Sequence, residues 1–284
     1  MEQSTRPRAV VITGASSGIG ESCALWLESR GMRVFAGVRK EADAVALSEK
    51  SSHMLTPVIL DVTDEKSIEE AAQRVSTAVN GDVELDLVNN AGVVLGGPIE
   101  YLSLDELRKA FEVNLVGSVA VTQALMPLIR ESRGRIVNMS SVSGLISYPF
   151  LGPYSASKFA MEAISDALRI ELRPWGIQVS LIEPGDVDTP MWDKSQSMID
   201  RVTRHWPPEA FDLYGPAVAI RNDLKRHGVS PEAVARVVEH ALTDVHSRPR
   251  YRVGKLAPVI DLFRHLPITI RDRVIATQLP KYGY

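Results

Sequence analysis

The sequence predicts an α/β fold: a single domain built on a doubly wound parallel sheet with helices on both faces. Three observations predict it. Short β-branched runs alternate with longer helical stretches. The strand-like runs are apolar almost throughout, as in strands covered on both sides. A glycine-rich turn joins the first strand to the first helix, at the edge where open α/β sheets receive ligands.

The elements follow in chain order. Strand-like runs cover Ala9–Thr13, Arg33–Val38, Thr56–Leu60, Leu85–Asn89, Arg135–Ser140 and Gln178–Glu183. Helical patterns fill Gly18–Arg30, Asp64–Val79, Leu104–Arg130 and Tyr154–Arg173. Order weakens after Pro184. Residues from about 189 to 227 are rich in Pro, Trp and charge and lack a clean period, and are expected to form a mobile substrate lid. Ser230-Pro231-Glu232 opens a further helix, with Ser230 as cap and Pro231 in its first turn. A helical extension over about 254–284 closes the chain. No repeat and no linker interrupts it, so residues 1–284 read as one domain.

Composition narrows the function classes. Of 284 residues 45% are hydrophobic and 24% charged, and the formal net charge is -3. That balance argues against bulk attraction to nucleic acid. Cys23 is the only cysteine, so no disulfide scaffold is expected. MEQSTRPR runs directly into AVVITG without the pattern of a signal peptide, and no apolar run is read as a membrane span. The expectation is a cytoplasmic protein with a small-molecule partner, no nucleic acid, no membrane span and no metal.

The run VVITGASSGIGES places Gly14, Gly18 and Gly20 in a G-x3-G-x-G spacing between strand and helix. Glycines there let the backbone turn sharply and approach a pyrophosphate at the helix N-terminus. The alternative is a turn that only joins the two elements. The second strand ends FAGVRKE: Gly37 occupies the position of a ribose-binding acid, and Arg39 and Lys40 follow. Arg39 suits a 2′-phosphate, which favours NADP(H); NAD(H) stays open through Glu41 or Asp43. Asp61 and Val62 after the third strand suit an adenine, although Asp61 could instead cap the next helix.

PYSASKFAMEA places Tyr154 and Lys158 four apart on one helix face. A cation close by favours phenolate and lowers a tyrosine pKa from about 10. A tyrosine tuned so can exchange a proton with an alcohol or carbonyl near neutral pH.

Over residues 8 to 190, the core of the domain, the chain resembles the short-chain dehydrogenase/reductase family. The resemblance rests on TGASSGIG (13–20), DV (61–62), NNAG (89–92), the Asn of FEVNL (114), GRIVNMSSVSG (134–144), YSASK (154–158) and PGDVDT (184–189). It implies a Rossmann fold with a seven-stranded parallel sheet. It implies that Tyr154 is the catalytic acid/base, that Lys158 lowers its pKa and holds the nicotinamide ribose, and that Ser141 rather than Ser140 steadies the substrate oxygen. Asn114 would support a water leading from Lys158 to solvent. The implied cofactor contacts, with the turn glycines, are Gly14, Ser16, Ser17, Gly18, Ile19, Gly20, Arg39, Asp61, Val62, Asn90, Ala91, Gly92, Tyr154, Lys158, Pro184, Gly185, Val187 and Thr189. Asn90 and Gly92 could also simply shape a turn, and Ser140 is expected to pack.

SGLISYPFLGPYSASKFAMEA is similar to the branch holding 17β-hydroxysteroid and retinol dehydrogenases. That implies a bulky apolar alcohol or ketone. The expected pocket is Val93, Leu95, Ser143, Leu145, Phe150, Met191 and Trp192, with Trp206 and Phe211 as further lid residues and His205 as an optional polar contact. Leu256, Val259, Ile260, Phe263 and Leu266 form an apolar stripe in the extension. It is expected over the cleft or a neighbouring subunit, with weak peripheral membrane association as the other option. The family implies a homodimer or homotetramer through Leu104–Arg130 and Tyr154–Arg173. The leading function is an NADP(H)-dependent oxidoreductase for a hydrophobic alcohol or ketone, steroid-, retinoid- or lipid-like. An NAD-dependent alcohol dehydrogenase or a non-catalytic nucleotide-sensing scaffold is the alternative.

Overall fold

The computed structural model describes residues 6–79, 83–190, 203–204, 206–223 and 228–277. Seven parallel strands lie in the order β3-β2-β1-β4-β5-β6-β7. They are β1 (Arg8–Ile12), β2 (Arg33–Val38), β3 (Leu55–Ile59), β4 (Glu84–Asn89), β5 (Arg135–Met139), β6 (Gln178–Pro184) and β7 (Arg250–Val253). The helices between them are α1 (Gly18–Ser29), α2 (Glu41–Ser48), α3 (Glu65–Ala78), α4 (Leu104–Phe111), α5 (Gly117–Ser132) and α6 (Gly152–Glu171). After β6 come α7 (Pro208–Asp223) and α8 (Pro231–Thr243), and after β7 come α9 (Ala257–Phe263) and α10 (Ile268–Ala276).

Alternation along each strand sends neighbouring residues to opposite faces, so the sheet has two cores. Val10 and Ile12 of β1 pack with Cys23 and Leu27 of α1 and with Val234, Val238 and Leu242 of α8. Ala9 and Val11 pack with Ile68 and Val75 of α3 and with Val121, Leu125 and Ile129 of α5. Chain order reverses between β1 and β4, which pair directly with Val10 beside Asp86. That switch point opens the crevice in which such folds hold ligands.

Four elements depart from the sequence reading. β7 is the seventh strand that the resemblance implied but that no apolar run marked, and α2 was not expected. α7 lies inside the 189–227 segment, where apolar residues scattered around the helix axis leave no period to detect. The expected helix over Leu104–Arg130 is two helices joined by a π turn, Glu112–Val116. The joined stretch Leu104–Ser132 is long and apolar enough by composition to cross a membrane, contrary to the sequence reading, yet Val121, Leu125 and Ile129 are buried in the core beside the sheet. Ser230 does cap α8, its hydroxyl accepting from Ala233 N at 3.2 Å.

Candidate active site

The β1–α1 turn forms one wall of the site. Gly14 and Gly18 have φ of +68° and +62°, which favours glycine at both. A Cβ on Gly20 would fall 2.3 Å from the Gly14 carbonyl oxygen and 2.4 Å from Asn90 Nδ2. Ser17 precedes α1 in extended backbone and makes no side-chain cap, leaving the positive end of the helix open to a ligand. Asn90 Nδ2 donates to the carbonyls of Thr13 (2.9 Å) and Gly14 (3.1 Å). Thr13 Oγ1 in turn accepts from the backbone N–H of Asn90 and Ala91. The side chain of Asn90 therefore braces the turn. Thr13 shares that work, a role that its place at the head of TGASSGIG did not by itself assign.

Asp61 does not cap the third helix. Its Oδ1 accepts from Thr63 N (3.0 Å) and Thr63 Oγ1 (2.8 Å), a local turn that fixes the loop after β3. Asp64 supplies the cap, accepting from Lys66 N at 3.0 Å. Arg39 sits exposed just beyond β2, on the wall of the same cleft.

The opposite wall comes from the end of β5 and the start of α6. Ser141 is nearly buried; its hydroxyl donates to the Pro184 carbonyl at 3.4 Å and accepts from Ser143 N at 3.1 Å. Lys158 is 4% exposed and its Nζ donates to the Met139 carbonyl at 2.7 Å. Burial lowers its pKa to about 8, against the pull of the Glu162 carboxylate. Burial also raises the Tyr154 phenol above its ordinary value, and the Ser141 hydroxyl draws it back. This corrects the expectation for the pair. Lys158 Nζ stands 5.8 Å from the centre of the Tyr154 ring and its hydrogen bond goes to the backbone, and desolvation sets the direction at the phenol.

Asn114 lies in the π turn, 1% exposed. Its Oδ1 accepts from Val93 N (2.7 Å), and its Nδ2 donates to Val93 O (3.0 Å) and to Ser157 Oγ (2.9 Å). A Cβ on Gly92 would be 3.3 Å from Asn114 Oδ1 and 3.8 Å from Lys158 Nζ, so the two polar ends meet at this glycine.

These walls enclose a cleft of about 1210 Å³. Every expected cofactor-binding residue lines it, as do Ser141, Val93, Leu95, Ser143 and Phe150. Asn114 stands behind the wall. Leu145 does not line the cleft; the tight turn over Val142–Gly144 points it into the core, 4% exposed. Trp206 and Phe211 do not line it either. They stack with Tyr101 and Tyr214 in an aromatic cluster that docks α7 against the 3-10 turn Ile99–Tyr101. Met191, Trp192 and His205 lie outside the described residues. Sequence reasoning missed Tyr148, Leu151 and Ile275 on the wall. Leu256 and Ile260 of the apolar stripe also border the cleft, and Leu256, like Val259, is largely exposed.

Residues 8–200 match the family described as short chain dehydrogenase. Bovine 17-beta-hydroxysteroid dehydrogenase type 6 is 37% identical over 96% of this chain and 89% of its own length. Mouse retinol dehydrogenase 5 is 36% identical over the same shares. An NADPH-dependent 3-dehydrocapnine reductase from Ornithobacterium rhinotracheale is 36% identical over 94% of both chains. The crystal structure of a short-chain dehydrogenase from Streptomyces avermitilis superposes with a TM-score of 0.75 at 28% identity, covering 98% of this chain and 97% of that one. The fold, the motif positions gathered around the cleft and these likenesses agree: the chain belongs to the short-chain dehydrogenase family and is an oxidoreductase of its steroid- and retinol-dehydrogenase branch.

Proposed function

We propose that the protein transfers hydride between NADP(H) and a hydrophobic alcohol or ketone, steroid-, retinoid- or lipid-like. One observation carries this reading. Tyr154 and Ser141 line a cleft that also carries the apolar Val93, Leu95, Phe150 and Ile260, beside a glycine turn shaped for a pyrophosphate. The residues present fit a dinucleotide: a Cβ would fill the cradle at Gly20, the N-terminus of α1 has no side-chain cap, and Arg39 offers a guanidinium at the edge of the cleft. When bound, the nicotinamide supplies or accepts the hydride.

The chain's own residues do the rest. Tyr154 exchanges a proton with the substrate oxygen, and Ser141 holds that oxygen as charge develops on it. Lys158, anchored on Met139 O, presents its ammonium to the ribose side of the cleft. Asn114 holds Val93 and Ser157 and so fixes the floor beneath Lys158. Val93, Leu95, Phe150 and Ile260 exclude water from the reacting carbon. Arg39 favours NADPH over NADH, in keeping with the name of the 3-dehydrocapnine relative. The exposed Phe159, Ile164 and Ile170 of α6 support a homo-oligomer through that helix.

The test is Tyr154→Phe, assayed with retinoid, steroid and long-chain 3-keto substrates. Turnover is expected to fall at least a hundredfold while NADPH still binds. Undiminished turnover would refute the mechanism, and tighter binding of NADH than of NADPH would reassign the cofactor.

A further inference from the structure

Ser140 stands between two parts of the proposed machinery. On one side Met139 offers the carbonyl that takes Lys158 Nζ; on the other is Ser141. The Ser140 hydroxyl is buried, as is Glu162 Oε1, and by strict geometry neither atom has a hydrogen-bond partner among the described residues. Two such orphans are costly unless they satisfy one another. Glu162 lies one turn beyond Lys158 on α6 and is 8% exposed. Its Oε2 accepts from Arg250 Nε at 3.1 Å, which leaves Oε1 for another donor. Burial raises the Glu162 carboxyl, and the Ser140 hydroxyl, then Arg250, draw it back. The packing leaves little slack. A Cβ on Gly144 would come 2.9 Å from Ser140 Oγ and 3.1 Å from the Lys158 carbonyl oxygen.

We propose that Ser140 donates its hydroxyl hydrogen to Glu162 Oε1, and that this clamp positions the two halves of the site against each other. It ties the end of β5, which carries Ser141 and the carbonyl anchor of Lys158, to α6, which carries Tyr154 and Lys158. The inference rests on the roles proposed above for those three residues. Ser140 lines the cleft but its hydroxyl is buried, and Glu162 lies off the cleft wall; they act as positioning residues. The charged groups around Glu162 are Lys158 and Asp166 on its own helix, Arg250 from β7 and Glu183 from β6. Arg250 divides its guanidinium among Glu162, Asp166 (2.7 Å) and Glu183 (3.3 Å), and so orients the carboxylate.

A double-mutant cycle tests the clamp: Ser140→Ala, Glu162→Ala and the pair together. Each single change is expected to lower Tm, and the double variant to be no less stable than Glu162→Ala alone. Hydrogen exchange over residues 139–144 should quicken at least tenfold in each. With retinaldehyde, dihydrotestosterone or a long-chain 3-keto lipid and NADPH, kcat should fall about tenfold, with KM and NADPH affinity within twofold. Glu162→Gln, which keeps an acceptor, should recover most of the kcat lost in Glu162→Ala.

Additive Tm changes with unaltered exchange overturn the clamp whatever the substrate is. Coupled Tm changes with kcat unaltered overturn its positioning role. Tyr154→Phe run in parallel separates the two ideas. If that variant is inactive and Ser140→Ala behaves as wild type, the clamp alone fails. If Tyr154→Phe turns over normally, the catalytic reading fails and the clamp loses its purpose with it.

Discussion

Lys158 gives its ammonium hydrogen to the carbonyl of Met139 at 2.7 Å, binding the middle of α6 to the last residue of β5. The same burial that makes this bond brings its pKa to about 8, so its charge is lost within an accessible range. NADPH affinity is therefore expected to fall severalfold between pH 7 and pH 9, as the cation facing the dinucleotide disappears. Lys158→Met should bind more weakly and show no inflection there. Fluorescence titrations at fixed ionic strength read both.

Arg39 is exposed at the edge of the cleft. Arg39→Asp removes the guanidinium proposed to meet a 2′-phosphate and would put a like charge in its place. The ratio of NADPH to NADH affinity is expected to drop by at least tenfold, mostly through NADPH. An unchanged ratio would show that another side chain reads the ribose.

Gly20 and Gly215 make a contrast. Gly20→Ala forces a methyl group to 2.3 Å from the Gly14 carbonyl, so the turn must open. Dinucleotide binding should be lost and Tm should drop markedly. Gly215 in α7 has nothing within 4 Å of an added Cβ. Gly215→Ala should raise stability by about 0.5–1 kcal/mol, seen in denaturant melts.

Glu183 is fully buried between Arg250 and Arg252, and burial followed by the nearby Glu162 raises its pKa to about 7 from an ordinary 4.5. Between those two values the folded chain holds a proton that the unfolded chain has released. Its contribution to stability is thus present below about pH 4.5 and is lost as pH rises through 7. In Glu183→Gln the fall in Tm from pH 5 to pH 7.5 should shrink by about 3–8 °C. Scanning calorimetry across that range would reveal an equal slope if Glu183 carried its proton as an exposed residue does.

Cys23 is buried in the core beneath α1, and burial pushes its thiol up to about 12. A thiol-disulfide reagent should leave the native protein unmodified at pH 8 and react with one equivalent in guanidinium. Rapid native labelling would mean that α1 opens locally.

Much of this molecule was legible in its sequence because the signals were strong in kind. β2 was placed at Arg33–Val38 on its apolar run, and the glycine turn, Ser141, Tyr154 and Lys158 do share one cleft. What escaped shares a physical cause. β7 reads RYRV, and its two arginines, both reaching Glu183, alternate with Tyr251 and Val253, so no apolar run marks it. α2 buries only Leu47 and carries no stripe. Leu145 looked like pocket because it is apolar and near the tyrosine, yet a three-residue turn decides which way it points. The lowering of the Tyr154 pKa by Lys158 was inferred from spacing on a helix, and spacing says nothing of how much water the surroundings withhold.

The π turn at Glu112–Val116 has a genetic consequence. It lodges an extra residue in an otherwise continuous helical path from Leu104 to Ser132. Deleting one codon there would let the path close into a regular α-helix, with the residues beyond it kept on their face. Val121, Leu125 and Ile129 would stay on the sheet, while Asn114 would lose the bulge that sets it beside Val93 and Ser157. The same deletion within α5 would instead turn every later residue by about 100° about the helix axis. A one-residue deletion in the π turn should therefore leave a folded chain with a damaged site, and one in α5 should damage the fold itself.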